Sequence, residues 1–305
     1  MRNERVKIVF GFVIISLIWG TTWLAIKVGL VSISPLFGIT LRFIVAACVL
    51  SVLLMLRKES LPLDTMSIVQ YLNLALLSFS IPFMLVYWGE QFIASGMAAV
   101  IFAMYPFVVA LGSYLILTSE RLTKVTIAGM ALGFFGVVLI FWNDVNIAVQ
   151  NTVGMGAILA STILQGISLV LVKKANHPVN PIALTLGGIL LSIPIVLPLA
   201  FFLEDFKMIQ FTFEGIASVC YLGTLGSVVT FVIYYWLLER VETVYLSLVS
   251  FVTPVIAVAV GVIYLHESLS SGFVAGAFFV LIGIVVANGK DLLGALRVKK
   301  ENISK

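Results

Sequence analysis

Hydrophobic positions in this chain run on in long blocks, without the alternation of strands or the narrow stripe of surface helices. Ten apolar stretches of about 20 residues fall near 8–28, 35–56, 67–88, 95–117, 124–142, 153–172, 181–203, 213–237, 244–265 and 271–289. A helix of that length crosses a hydrocarbon core roughly 30 Å thick. The connections are short and polar, leaving no room for a sizeable extramembrane domain. The pattern predicts an all-α polytopic membrane protein.

The punctuation inside these blocks repeats. Pro106, Glu120, Gly129 and Gly136 are spaced by 14, 9 and 7 residues, and Pro254, Glu267, Gly276 and Gly283 by 13, 9 and 7. Gly20, Lys27 and Pro35 recur as Gly166, Lys173 and Pro181, at intervals of 7 and 8 both times. The chain therefore reads as two copies of one unit, residues 1–147 and 148–290, followed by a basic tail at 291–305. Five stretches per copy is an odd number, so the second copy enters the membrane in the opposite sense. Ten transmembrane helices in two inverted five-helix repeats is the layout of carriers whose site lies near the midplane.

Composition and charge narrow this further. Hydrophobic residues make up 61% of the chain and charged residues 10%, whereas soluble domains run near 45–50% and 25%. The mean hydropathy is +1.17. The net charge of +4 does not point to nucleic acid, because the basic residues follow the loops. With a cytoplasmic amino terminus, fifteen Lys and Arg residues fall on cytoplasmic loops or ends, and only Lys207 on an outer loop; Lys27 and Arg42 lie within stretches. That asymmetry places both termini in the cytoplasm. The first stretch follows a basic start but lacks a small-x-small cleavage site, so it reads as a retained span. Cys48 and Cys220 read as small buried hydrophobes, and the sequon at Asn302 falls in the expected cytoplasmic tail.

The duplicated Pro–Glu–Gly–Gly pattern, WGTTWLAIKVG at 19–29 and SPLFGITLRF at 34–43 resemble the EamA family of the drug/metabolite transporter superfamily, from about residue 8 to 290. That resemblance implies a multi-pass protein of the bacterial inner membrane that exports small metabolites or toxic compounds without an ATPase domain. No Walker-type glycine loop is present. The expected partners are a small-molecule substrate and membrane lipid, with no nucleic acid and with the chain a monomer or weak homodimer. No cofactor or metal is expected, since His177 and His266 stand without companions at ligand spacing. No catalytic residue is expected either. An intramembrane enzyme would need a nucleophile and base, or paired carboxylates, within the spans; a channel or scaffold is the third class.

Candidate substrate-binding residues follow from spacing and from differences between the copies. Trp19, Thr22 and Trp23 share a helical face, forming an aromatic platform with a hydroxyl; packing of Trp19 and an interfacial belt position for Trp23 are the structural alternatives. Their counterparts are Gln165, Ser168 and Leu169. Arg42 is a charge inside a span, replaced by Gly188 in the second copy. It is read either as a carboxylate receptor or as a structural tie, with Glu90 as a candidate ion-pair partner. Tyr87 and Tyr235 correspond across the copies as cavity walls. Glu90 is the candidate coupling group, against the alternative of a solvated loop carboxylate. Pro106 and Pro254 are candidate gating kinks. Glu120 and Glu267 are expected to cap spans 5 and 10, and the paired glycines to let those spans pack closely.

Overall fold

The computed structural model describes residues 2–117, 123–144, 149–240, 246, 249–267, 269–283 and 285–286, and these contain helices and no strand. Among the described residues, seven helical segments are long and apolar enough to span a membrane: Val6–Gly29, Pro35–Leu56, Thr65–Gly89, Ser95–Leu117, Val149–Ala175, Pro181–Leu203 and Phe213–Leu238. Three shorter apolar helices, Lys124–Ile140, Val252–Leu265 and Ser271–Gly283, fall in stretches five, nine and ten of the hydropathy pattern. Glu120, the tail at 291–305 and its sequon lie outside the described residues.

We number the helices α1 (Arg2–Gly29), α2 (Pro35–Leu56), α3 (Thr65–Leu74), α4 (Ile81–Gly89), α5 (Ser95–Phe102), α6 (Tyr105–Leu117), α7 (Lys124–Asp144), α8 (Val149–Ala175), α9 (Pro181–Leu203), α10 (Phe213–Gly223), α11 (Thr230–Leu238), α12 (Val249–Leu265) and α13 (Ser271–Gly283). Local chemistry sets several of the starts. Pro35 and Pro181 open α2 and α9, where a missing N–H costs no helical bond. Asn180 accepts from Ile182 N at 2.8 Å, and Thr212 from Gly215 N at 3.1 Å. Asp64 accepts from Ser67 N at 3.1 Å and lies 3.2 Å from His177 Nε2. Its carboxyl is held below the ordinary value, first by the Ser67 hydroxyl, then by the Ser67 amide, with His177 a smaller contribution.

Two spans change pitch midway. A six-residue π-helical turn, Ala75–Ser80, joins α3 to α4, and another, Thr224–Val229, joins α10 to α11. They occupy matching positions in the two halves. The fourth span differs from the kink expected at Pro106. The chain turns at Ala103–Met104 and α6 restarts at Tyr105, so Pro106 sits in a first turn where its lost donor is free. Pro254, by contrast, lies inside the continuous α12.

Among the described residues, extensive helix contacts join one sequence half to the other: α2 with α9, α1 with α12, α4 with α8 and α6 with α8. Glutamates tie helix starts across the halves. Glu204 accepts from Leu36 N at 2.8 Å, Phe37 N at 3.0 Å and Ser34 Oγ at 2.7 Å. Glu267 accepts from Ser95 N at 2.7 Å and Gly96 N at 3.2 Å. Glu267 therefore caps α5, not the start of α13 as its place in the sequence suggests, because it reaches across to a neighbouring helix. Glycine spacing does bring α7 and α13 together: a Cβ on Gly136 would stand 2.5 Å from the Gly276 carbonyl oxygen. Cys48 and Cys220 are exposed on the outer face of the bundle, which corrects their reading as buried. An apolar span has a lipid-facing side that hydropathy alone does not distinguish from its core.

Candidate substrate cavity

A cavity of about 180 Å³ lies between the halves, with walls from α1, α2, α4, α5, α6, α8, α11 and α12 and from the first π-turn. Trp19, Thr22, Trp23, Arg42, Gln165 and Tyr235 all line it, as do Pro106 and Pro254. Eight candidates scattered through the sequence thus face one space.

The aromatic platform is part of this wall. Trp19 packs on Tyr234 and Phe231, with ring centroids 5.2 and 5.7 Å away. Trp23 is only 7% exposed and tilts against Phe102 at 5.4 Å. That position removes Trp23 from an interfacial belt. Thr22 donates to Trp19 O at 2.8 Å, leaving its oxygen able to accept. Gln165 donates to Ser161 Oγ at 3.1 Å.

Arg42 is 3% exposed and its guanidinium is anchored by the second half. Nε donates to Ser227 Oγ at 2.9 Å and one terminal nitrogen to Gly226 O at 3.2 Å; the other nitrogen reaches Tyr87 Oη at 3.5 Å. The cation also stands over the Phe83 ring, 4.5 Å from its centroid. Ser227 and Gly226 belong to the π-turn Thr224–Val229. Such turns leave the ordinary helical ladder and frequently mark functional sites. An arginine at a span centre costs about 2.5–3.5 kcal/mol on insertion scales. The neutral acceptors and the ring offset part of that cost without neutralising the charge.

Three candidates lie behind the lining. Tyr87 is buried and is joined to the cavity lining through Arg42. Ser168 is fully buried, accepting from Ser78 Oγ at 2.8 Å, and its carbonyl accepts from Asn73 Nδ2 at 3.1 Å. Ser78, from the first π-turn, takes the wall position instead. Glu90 is 0% exposed and neither of its carboxylate oxygens has a hydrogen-bond partner among the described residues. It makes no ion pair with Arg42, which corrects both the pairing and the solvated-loop reading. Lys27 instead donates to the backbone carbonyls of Glu90 and Ile93, the latter at 2.8 Å. The α4–α5 connection folds inward over the end of α1, and this burial is a tertiary effect.

Several wall residues carried no signal in the sequence. Phe83, Phe102, Tyr105 and Tyr234 are ordinary aromatics in apolar stretches, yet Tyr105 and Tyr234 bring their hydroxyls within 3.3 Å of each other in the cavity wall. Ser113 also lines the space, with its hydroxyl unpartnered among the described residues. Only the correspondence of Tyr234 and Tyr235 with the tyrosine at the end of span 3 hints at the cluster. Among the described residues, no group of three or more His, Cys, Asp or Glu residues is placed to hold a metal.

A multi-pass helical bundle enclosing an aromatic cavity between two sequence halves is an architecture suited to a membrane transport protein. The model of the EamA-like transporter family matches residues 6–142 and again 152–289, and the chain belongs to that family. It is similar to the uncharacterized transporter YoaV of Bacillus subtilis (strain 168), at 27% identity over 92% of this chain and 96% of that protein. It is also similar to protein PagO of Salmonella typhimurium (strain LT2), at 30% identity over 84% of each. A solved crystal structure of a protein with 18% identity aligns with a TM-score of 0.69 over 92% of this chain and 97% of its own, a likeness of fold alone. These names point to a membrane transporter rather than an enzyme.

Proposed function

We propose that this chain is a secondary carrier of the bacterial inner membrane that exports small amphipathic metabolites, amino acids or drug-like compounds by alternating access. The observation that carries the reading is the cavity itself, lined from both halves, with Trp19, Thr22 and Trp23 contributed by the first and Gln165 and Tyr235 by the second. In this reading ten spans form two inverted repeats, residues 1–147 and 148–290, both termini and the tail at 291–305 are cytoplasmic, and the carrier works as a monomer or weak homodimer. Solute binds against the aromatic wall near the midplane. The broken span at Ala103–Met104 and the proline within α12 serve as bending points when one half rocks against the other. The buried, unpartnered carboxylate of Glu90 is the coupling group, because an ionised carboxyl without partners is costly and its protonation is therefore sensitive to opening of that end.

The experiment is direct. Medium from cells with and without the protein is compared by mass spectrometry, and enriched solutes are then tested in proteoliposomes. Saturable, protein-dependent movement of an enriched amino acid or amphipathic compound is the expected outcome. Absence of such movement across a broad panel, or single-channel currents in a planar bilayer, contradicts the proposal.

A further inference from the structure

The cavity carries a charge imbalance. Of the described residues lining it, Arg42 alone bears a formal charge, and none of them supplies a carboxylate. Arg42 is 3% exposed, makes no ion pair among the described residues, and is held by a serine hydroxyl, a backbone carbonyl and a distant tyrosine hydroxyl. A guanidinium has five N–H donors. These contacts engage one donor on each of its three nitrogens, which leaves two. A buried cation with neutral partners and spare donors is poised for an anion, and a planar carboxylate matches the guanidinium fork.

The walls near Arg42 define the rest of the ligand. Phe83 lies against the guanidinium at 4.5 Å, and Trp19, Trp23, Phe102 and Tyr234 extend the aromatic surface. Such walls suit a flat apolar body. The carboxylate of Glu90, behind the lining, neither pairs with Arg42 nor reaches the cavity surface. A cationic solute would find no counter-charge among the described residues of the wall and would share the space with a fixed positive charge.

We propose that the cavity selects organic monoanions, a carboxylate on a flat apolar body, and that Arg42 is the specificity-determining residue. This rests on the carrier reading and narrows it to a substrate class. The π-turn at Thr224–Val229 then acts as a positioning device, because Ser227 and Gly226 fix the guanidinium from the opposite half.

The test uses three solutes of matched shape with the purified full chain: 3-phenylpropanoate, 3-phenylpropylamine and 3-phenylpropan-1-ol. Affinity is measured by titration calorimetry and movement by proteoliposome uptake. The propanoate is expected to bind at least tenfold tighter than the amine or the alcohol. Arg42→Gln is expected to abolish that preference by weakening the propanoate far more than the alcohol, and Arg42→Lys to retain part of it. Ser227→Ala, which leaves the cation in place, is expected to weaken the propanoate selectively, and it keeps the test decisive where Arg42→Gln does not fold. Equal or tighter binding of the amine or alcohol overturns the inference, as does a preference that survives Arg42→Gln. Saturable transport of the amine with exclusion of the propanoate overturns anion selection while leaving the carrier standing. Failure of all three to bind overturns the anion inference, and the metabolite panel separately decides whether the carrier reading falls with it.

Discussion

The guanidinium of Arg42 and the hydroxyl of Ser227 meet at 2.9 Å across 185 residues of chain. One belongs to a helix of the first half, the other to a π-turn of the second, so this bond, with the one to Gly226 O, couples the charge in the cavity to the junction between halves. Ser227→Ala removes it but leaves the Gly226 carbonyl in place. A hydrogen bond to a charged group is worth roughly 1.5–3 kcal/mol, and partial retention brings the expected loss near the lower end, about tenfold in KM for transport. Initial-rate kinetics in proteoliposomes check this, with maximal velocity expected to change less than KM.

Glu90 gives the second prediction. Glu90→Gln removes the ionisable group from a fully buried position where neither oxygen is hydrogen-bonded, so the substitution is expected to leave melting temperature unchanged or raised. Transport rate as a function of external pH is expected to flatten in this variant. A pH profile identical to the parent's removes Glu90 from coupling.

The close approach of α7 and α13 is tested by adding bulk. Gly136→Val places a Cβ against the Gly276 carbonyl and near Val280, and overpacking of this kind costs about 2 kcal/mol. Gly156 is the control, since nothing lies within 4 Å of a Cβ there; Gly156→Ala is expected to be neutral or mildly stabilising through helix propensity. Thermal melting in detergent compares the two.

Glu204 reaches the start of α2 from the far end of α9 and satisfies two amides and a hydroxyl. Glu204→Ala is expected to destabilise by about 1–2 kcal/mol. Glu204→Gln, which keeps one accepting oxygen, loses less. Melting in the same detergent measures both.

Much of this architecture was legible in the sequence, for reasons that also mark where legibility ends. Span positions follow from hydropathy because only closed backbone hydrogen bonding is tolerated in lipid. Arg42 and Trp19 announce themselves because a charge, or a cluster of large aromatics and hydroxyls on one face, is unusual inside an apolar stretch. Ser168 and Ser78 show the limit. The copy-to-copy alignment selected Ser168, but the π-turn at Ala75–Ser80 brings Ser78 to the wall and leaves Ser168 behind it. A pitch change of one residue has no compositional signature. Glu90 shows a second limit: sequence places it at a span end, and only the inward fold of the α4–α5 connection buries it. Cys48 and Cys220 show a third, since lipid-facing and core-facing positions share the same apolar composition.

In the proposed carrier, solute crosses through the cavity between the halves. Ala110 lines that cavity and is partly buried, so Ala110→Trp fills the space without adding charge. The decisive measurement is counterflow in proteoliposomes of the solute with the strongest saturable uptake, comparing the parent with Ala110→Trp at matched melting temperature. Loss of at least nine-tenths of the counterflow in the filled variant is the predicted result. Undiminished counterflow through a filled cavity would contradict passage of solute between the halves.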